Sequence, residues 1–336
     1  MLIVILLANY FSTGYNEQMR DNKLMYSVGA LMYTPANNKK IVNALLEEKF
    51  GHKFSLAFCL EDTIADDQVE EAEKILIGTI KELYELRDTK NFYLPKIFIR
   101  VRRPEQIDSL VERLGKATSI VTGFNAPKFD LDNADMYISQ IKNINQSSEH
   151  IFYLMPILES DKMIDLQTRY DFLCDIKKKL DAIEEFVLNV RVGGNDLCHA
   201  FGLRRHSFDT IYDIRPVSAI LTDILSVFSR DYVVSGPVWE YYNGENWESG
   251  LANELRKDML CGFVGKTAVH PKQIGVINES CKVLKDDYED AKAILNWSNN
   301  SNLVSGSNNK SRMNEYKTHY NWANRIIYLA EYYGIK

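Results

Sequence analysis

Glu159 stands directly after the apolar run Ile151–Leu158, and Asp196 follows the run Phe186–Val192 by a few residues. Runs of this length and β-branched content read as buried strands, so the two acids fall at the ends of successive strands. Mg2+ takes oxygen ligands in an octahedron and keeps several waters, so one or two carboxylates suffice while substrate oxygens complete the shell. The pair fits that demand, and Mn2+ suits the same oxygens; a capping Glu and a turn Asp are the plainer alternative. Arg100 lies near the end of a third run, Ile97–Val101, where a planar guanidinium can grip a carboxylate through two parallel hydrogen bonds. An edge salt bridge is its competing role. Glu61 and Asp62 follow Phe54–Leu60, and two acids so close together suit orienting an arginine or a water better than serving as separate acid and base. Spacing alone fixes no residue, His270 included, as general base.

The elements that must position these groups can be counted. Strand-like runs occur at Val28–Tyr33, Phe54–Leu60, Ile97–Val101, Ile120–Phe124, Ile151–Leu158, Phe186–Val192, Tyr232–Val238 and Phe263–Val269. Segments of helical period separate them, among them Asp67–Leu86, Pro104–Leu114, Lys162–Leu180, Val217–Phe228 and Ser249–Cys261. Eight such βα units predict an α/β fold, a (β/α)8 TIM barrel with its site at the carboxyl ends of the strands. There the residues are polar: Thr34 to Asn37, Glu61-Asp62, Arg100 with Arg102 and Arg103, Lys128, Glu159, Asn195-Asp196, Ser235 and His270. The expected organisation is an N-terminal segment 1–27, a barrel domain 28–297, a flexible Ser/Asn-rich linker 298–311 and a C-terminal helix 312–336. The last segment is amphipathic and is expected to dock on the barrel or on a second subunit.

Composition narrows the partners. A formal charge of −6 argues against a nucleic-acid surface, which needs clustered cations to displace counterions. Five scattered cysteines without a CxxC pair signal neither a disulfide framework nor a zinc clasp, and fit a reducing, cytoplasmic setting. The apolar stretch Leu2–Ala8 is far shorter than the roughly 20 residues of a membrane span. Gly262–Thr267 lacks the spacing of a phosphate loop, and Cys198, His199 and His206 do not match common zinc spacings.

Seven motifs in order carry a resemblance. They are Tyr33-Thr34-Pro35-Ala36-Asn37, Leu60-Glu61-Asp62-Thr63-Ile64, Ile99-Arg100-Val101, Pro127-Lys128, Pro156-Ile157-Leu158-Glu159-Ser160, Gly194-Asn195-Asp196-Leu197 with Phe201-Gly202-Leu203, and Gly265-Lys266 with Val269-His270-Pro271-Lys272-Gln273-Ile274. Together they resemble the HpcH/HpaI aldolase and citrate lyase β-subunit family from about Leu31 to Trp297. Phe201-Gly202-Leu203-Arg204-Arg205, Thr210 to Arg215 and Val234 to Tyr241 are similar to the lyase-like proteins of bacterial tellurite-resistance and stress-response clusters. The resemblance implies a Mg2+-dependent carbon–carbon lyase or aldolase acting on a keto or hydroxy acid through a metal-stabilised enolate. It implies Glu159 and Asp196 as metal ligands, Arg100 as the substrate arginine, Lys128 as a further anion contact, and association into a homo-oligomer. Thioester hydrolysis on acyl-CoA, or a catalytically silent binding barrel, are the alternatives. Two departures stand out: Cys59 where many relatives have Asp, and Arg102 where they have Asn. With Arg204 and Arg205 they suggest a substrate of extra negative charge, for which phosphate is a candidate source.

Overall fold

A computed structural model describes residues 22–298 and 301–336. The stretch Leu2–Ala8 and most of the N-terminal segment lie outside the described residues. Helix α1 (Asn22–Tyr26) leads into eight parallel strands, each at one of the runs counted above: β1 (Ala30–Pro35), β2 (Phe54–Cys59), β3 (Lys96–Arg100), β4 (Val121–Ala126), β5 (Tyr153–Leu158), β6 (Val190–Val192), β7 (Val234–Ser235) and β8 (Lys266–Ala268). Each pairs with its sequence neighbours, and β1 also pairs with β8, Ala30 opposite Lys266. A single parallel bridge, Gly236 to Lys266, joins β7 to β8 and brings the sheet round into a barrel.

Between the strands run α2 (Ile41–Leu46), α3 (Val69–Leu86), α4 (Gln106–Leu114), α5 (Ala134–Ser147), α6 (Arg169–Asp181), α7 (Gly194–Ala200), α8 (Arg215–Phe228) and α9 (Trp247–Cys261). After β8 come α10 (Lys272–Cys281) and α11 (Lys285–Leu295). Alternate strand residues separate into two clusters, as a pleat of period 2 requires. Ala30, Leu56, Ile97, Ile99 and Leu154 pack outward with helix residues such as Leu76, Ile107 and Ile141. Leu31, Ala57, Phe98 and Met155 pack with one another inside the barrel. Two residues further along the same strands, Tyr33, Cys59, Arg100 and Ile157 therefore project inward at the carboxyl end. This register connects an ordinary hydrophobic pattern to the site.

Two expectations are corrected. Lys162–Leu180 is not one helix: a 3-10 turn at Asp161–Met163 precedes α6, which starts at Arg169. The Asp165 side chain takes the Gln167 N–H at 2.9 Å, and the buried Arg169 guanidinium takes the carbonyls of Met163 and Ile164, so these polar groups are satisfied outside a helix. The Ser/Asn-rich stretch contains strand β9 (Val304–Gly306), which pairs antiparallel with β10 (Met313–Glu315). Polar contacts rather than apolar burial order it: Ser307 Oγ accepts the N–H groups of Ser311 and Arg312, and Arg312 binds Asp290 at 2.6 Å and Asp287 at 2.7 Å on α11.

The C-terminal helix, α12 (Tyr316–Tyr333), docks on its own barrel at the amino end of the strands. Leu329, Ala330 and Tyr333 join the interior cluster of Val28 and Leu31, and Arg325 donates to the carbonyls of Gly262 and Phe263 at 3.0 Å each. Gly29 (φ +58°) admits the Tyr333 ring; a Cβ there would meet the hydroxyl at 2.3 Å. The amino end of the barrel is thereby covered. Among the described residues no helix is long and apolar enough to cross a membrane.

Candidate active site

At the opposite, carboxyl end the inward residues surround a cavity of about 330 Å3, lined by Tyr33, Arg100, Glu159, Arg191, Asp196 and Thr267 among others. That lies at the small end of the roughly 300–1,000 Å3 range of ligand pockets. Glu159, the residue after β5, is one of its acidic lining residues. Its Oε1 accepts the Lys128 backbone N–H at 2.8 Å and lies 3.5 Å from Arg100 Nη2. Lys128 reaches that position with φ +47°, a left-handed conformation that costs on the order of 1 kcal/mol, while Asn133 Nδ2 holds its carbonyl at 2.8 Å. The Glu159 carboxylate also lies against Gly193, where an added Cβ would fall 2.0 Å from Oε2. Glycine there lets the acid reach across to the β6–α7 turn, which carries Asp196.

Burial, added to by the neighbouring Asp196 charge and opposed by Arg100, pushes the Glu159 carboxyl up to about 7. An acid held this way gains from a nearby cation. Among the described residues no group of three or more His, Cys, Asp or Glu forms a closed metal cage. Two carboxylates lining an open cavity instead match Mg2+ or Mn2+, which keep water and substrate oxygens in their shell.

Arg100 is buried beside Tyr33, its guanidinium 5.7 Å from the ring centre. Its Nη2 lies 2.7 Å from Glu61 Oε2 and 3.0 Å from Asp62 Oδ2, and its Nε is buried without a hydrogen bond. Burial alone would lower its pKa; Tyr33, Glu159 and Glu61 outweigh it and hold the pKa above the usual arginine value. Glu61 also takes Lys128 Nζ at 2.6 Å. Burial opposes ionisation of Asp62, but its contact with Glu61 and the charges of Arg100 and Lys128 prevail and lower its pKa. Two acids and two bases thus interlock at the ends of β2, β3 and β4.

A family model of carbon–carbon bond lyases of the TIM-barrel fold matches residues 22–335. The chain belongs to this family. It is accordingly an enzyme of the carbon–carbon bond lyase class. Among solved structures it resembles CitE of Mycobacterium tuberculosis in complex with magnesium, acetoacetate and coenzyme A, with a TM-score of 0.60 and 16% identity over 91% of this chain and 99% of that one. A citrate lyase of Burkholderia xenovorans LB400 superposes with a TM-score of 0.68 and 13% identity over 92% and 93%. The M. tuberculosis citrate lyase β subunit complexed with oxaloacetate and magnesium gives 0.51 and 16% over 77% and 98%. No curated protein sequence matches the chain. At these identities the likeness is one of fold.

In this lyase the structure brings Glu61, Asp62, Arg100, Lys128, Glu159 and Asp196 to one end of the barrel, and it sends three expected anion contacts elsewhere. Arg102 clamps the loop after β2, donating to the carbonyls of Leu60, Glu61 and Ile64 and pairing with Asp66. Arg205 is buried against Glu254 at 3.2 Å and the carbonyl of Val238. Arg204 pairs on the surface with Glu240 at 3.0 Å. Arg102 and Arg205 are thus held by partners within the fold, which takes two of the three arginines away from an extra anionic group on the substrate.

Arg205 belongs to a buried network that holds the β7 and β8 end of the barrel. Lys266 Nζ contacts Glu254 at 2.9 Å and Asp258 at 2.7 Å; Asp258 also accepts the Tyr212 hydroxyl at 2.7 Å. Glu254 takes the Ile211 N–H at 2.7 Å, tying α9 to the segment after α7. Sequence reasoning passed over Tyr33, Arg191 and Thr267 as lining residues. The signal for Arg191 was present: a lone charge inside the apolar run Phe186–Val192.

Proposed function

We propose that this lyase cleaves or forms a carbon–carbon bond next to the carboxylate of a small keto or hydroxy acid, with Mg2+ held by Glu159 and Asp196. The observation that carries the reading is the setting of Glu159. One oxygen of its carboxylate is fixed by Lys128 N–H, and the group lies over Gly193 toward Asp196, in a cavity that also contains a buried arginine. When bound, Mg2+ would supply Lewis-acid stabilisation of the negative charge that develops on the substrate's carbonyl oxygen. Arg100 binds the substrate carboxylate through donors that its acidic neighbours do not use. Glu61 and Asp62 fix the guanidinium and Lys128, and Arg102 fixes the loop from which they come. A cavity of about 330 Å3 suits an acid of a few carbons.

Calorimetric titration with Mg2+, alone and with pyruvate or oxaloacetate, tests the assignment. The expected result is metal binding strengthened by the keto acid in the wild type and lost in Glu159→Ala and Asp196→Ala. Binding that persists in both variants places the metal elsewhere.

A further inference from the structure

Of the two arginines in the cavity wall, Arg100 has acidic partners, whereas Arg191 has no ion pair among the described residues. It lies in β6 between Ile157 of β5 and Ser235 of β7, and only 2% of it is exposed. Its Nη2 donates to Thr267 Oγ1 on β8 at 2.7 Å, while Nε and Nη1 are buried with no hydrogen-bond partner. No ion pair joins it to a carboxylate among the described residues. The other deeply buried cations are answered: Arg169 by Asp223 at 2.9 Å, Arg205 by Glu254 at 3.2 Å, and Lys266 by Glu254 and Asp258. A guanidinium does not shed its proton at any ordinary pH, and an unpaired buried charge is among the most costly features a fold can carry. Nη2 has a second N–H beside the one given to Thr267, and that N–H together with the unpartnered Nε or Nη1 next to it is the kind of donor pair that binds a carboxylate in bidentate fashion. The nearby Tyr33 hydroxyl, itself held by Asn125 at 2.9 Å, supplies a further polar group on the same wall.

We infer that Arg191 forms a second anion position within the active-site cavity, and that the substrate is a dicarboxylic acid whose far carboxylate it receives. The inference rests on the lyase reading above and adds to it: one carboxylate end goes to the metal and Arg100, the other to Arg191. Arg191 is then a specificity-determining residue, selecting by the length and charge of the acid.

The test compares oxaloacetate with pyruvate, binding to the full chain in Mg2+ by calorimetry, for the wild type, Arg191→Met and Arg191→Lys. The wild type should prefer oxaloacetate at least tenfold, Arg191→Met should bring the two acids within about twofold, and Arg191→Lys should recover part of the preference. A melting temperature for each variant separates a lost preference from a lost fold. Equal affinity of the wild type for both acids, or a preference unchanged in Arg191→Met, overturns the inference and leaves the lyase reading standing. Absence of Mg2+-dependent binding of either acid removes both.

Discussion

Gly193→Ala isolates the geometry on which the metal assignment depends. The residue has φ −87°, which alanine adopts freely, so the backbone contributes no penalty. The side chain does: the new Cβ would fall 2.0 Å from Glu159 Oε2, 2.5 Å from its Cβ and 2.9 Å from Cδ. Rotating the carboxylate clears the first contact but not the second, so Glu159 or the β6–α7 turn must move by roughly 1 Å. Overpacking of this kind costs about 1–3 kcal/mol of stability. The functional loss should be larger, because metal–ligand distances tolerate only about 0.2 Å and a 1 Å misplacement costs on the order of 100-fold. The assay is the affinity for Mg2+ in saturating pyruvate, with thermal melting on the same samples. Gly78→Ala, in α3 with nothing within 4 Å of its added Cβ, is the control and should gain a few tenths of a kcal/mol. Mg2+ affinity within twofold of wild type in Gly193→Ala would refute the reasoning.

Two further outcomes follow, one from Glu159 and one from the buried network of Lys266. Without metal, the raised pKa of Glu159 means that the folded state binds its proton more tightly than the unfolded state, so this group's contribution declines as pH rises from its ordinary 4.5 to about 7. Glu159→Gln should therefore melt higher than wild type at pH 8 in chelator, by at most about 3 kcal/mol, and the gap should close toward pH 4.5; a gap independent of pH would contradict this. Lys266→Met leaves Glu254 and Asp258 buried with only Arg205 to offset them, and urea denaturation should report a loss of about 3–5 kcal/mol, whereas a loss below 1 kcal/mol would show that the network carries little of the fold's stability.

Much of the architecture was legible because strands buried on both faces must be apolar and β-branched, and eight such runs stand clear of their helical spacers. Glu159 and Arg100 were legible for the converse reason: a charge at the end of such a run falls at the barrel mouth. Arg102, Arg204 and Arg205 misled because sequence displays a charge without its partner; Glu254, which takes Arg205, lies 49 residues away. Arg191 was overlooked because it sits within a strand, where the pattern points to core. The β9–β10 hairpin escaped notice because polar hydrogen bonds and the Arg312 ion pairs on α11, rather than buried apolar area, hold it. Gly193 carries no signal in the sequence, and only the position of Glu159 shows that it makes room for a carboxylate.

The most direct test of the central claim is solvent exchange of the pyruvate methyl protons in D2O, followed by proton NMR. Metal-assisted charge development beside a carboxylate predicts enzyme-catalysed exchange that requires Mg2+ and disappears in Glu159→Ala, Asp196→Ala and Arg100→Met. Exchange that proceeds equally with chelator present, or that survives the loss of Glu159, would contradict the account.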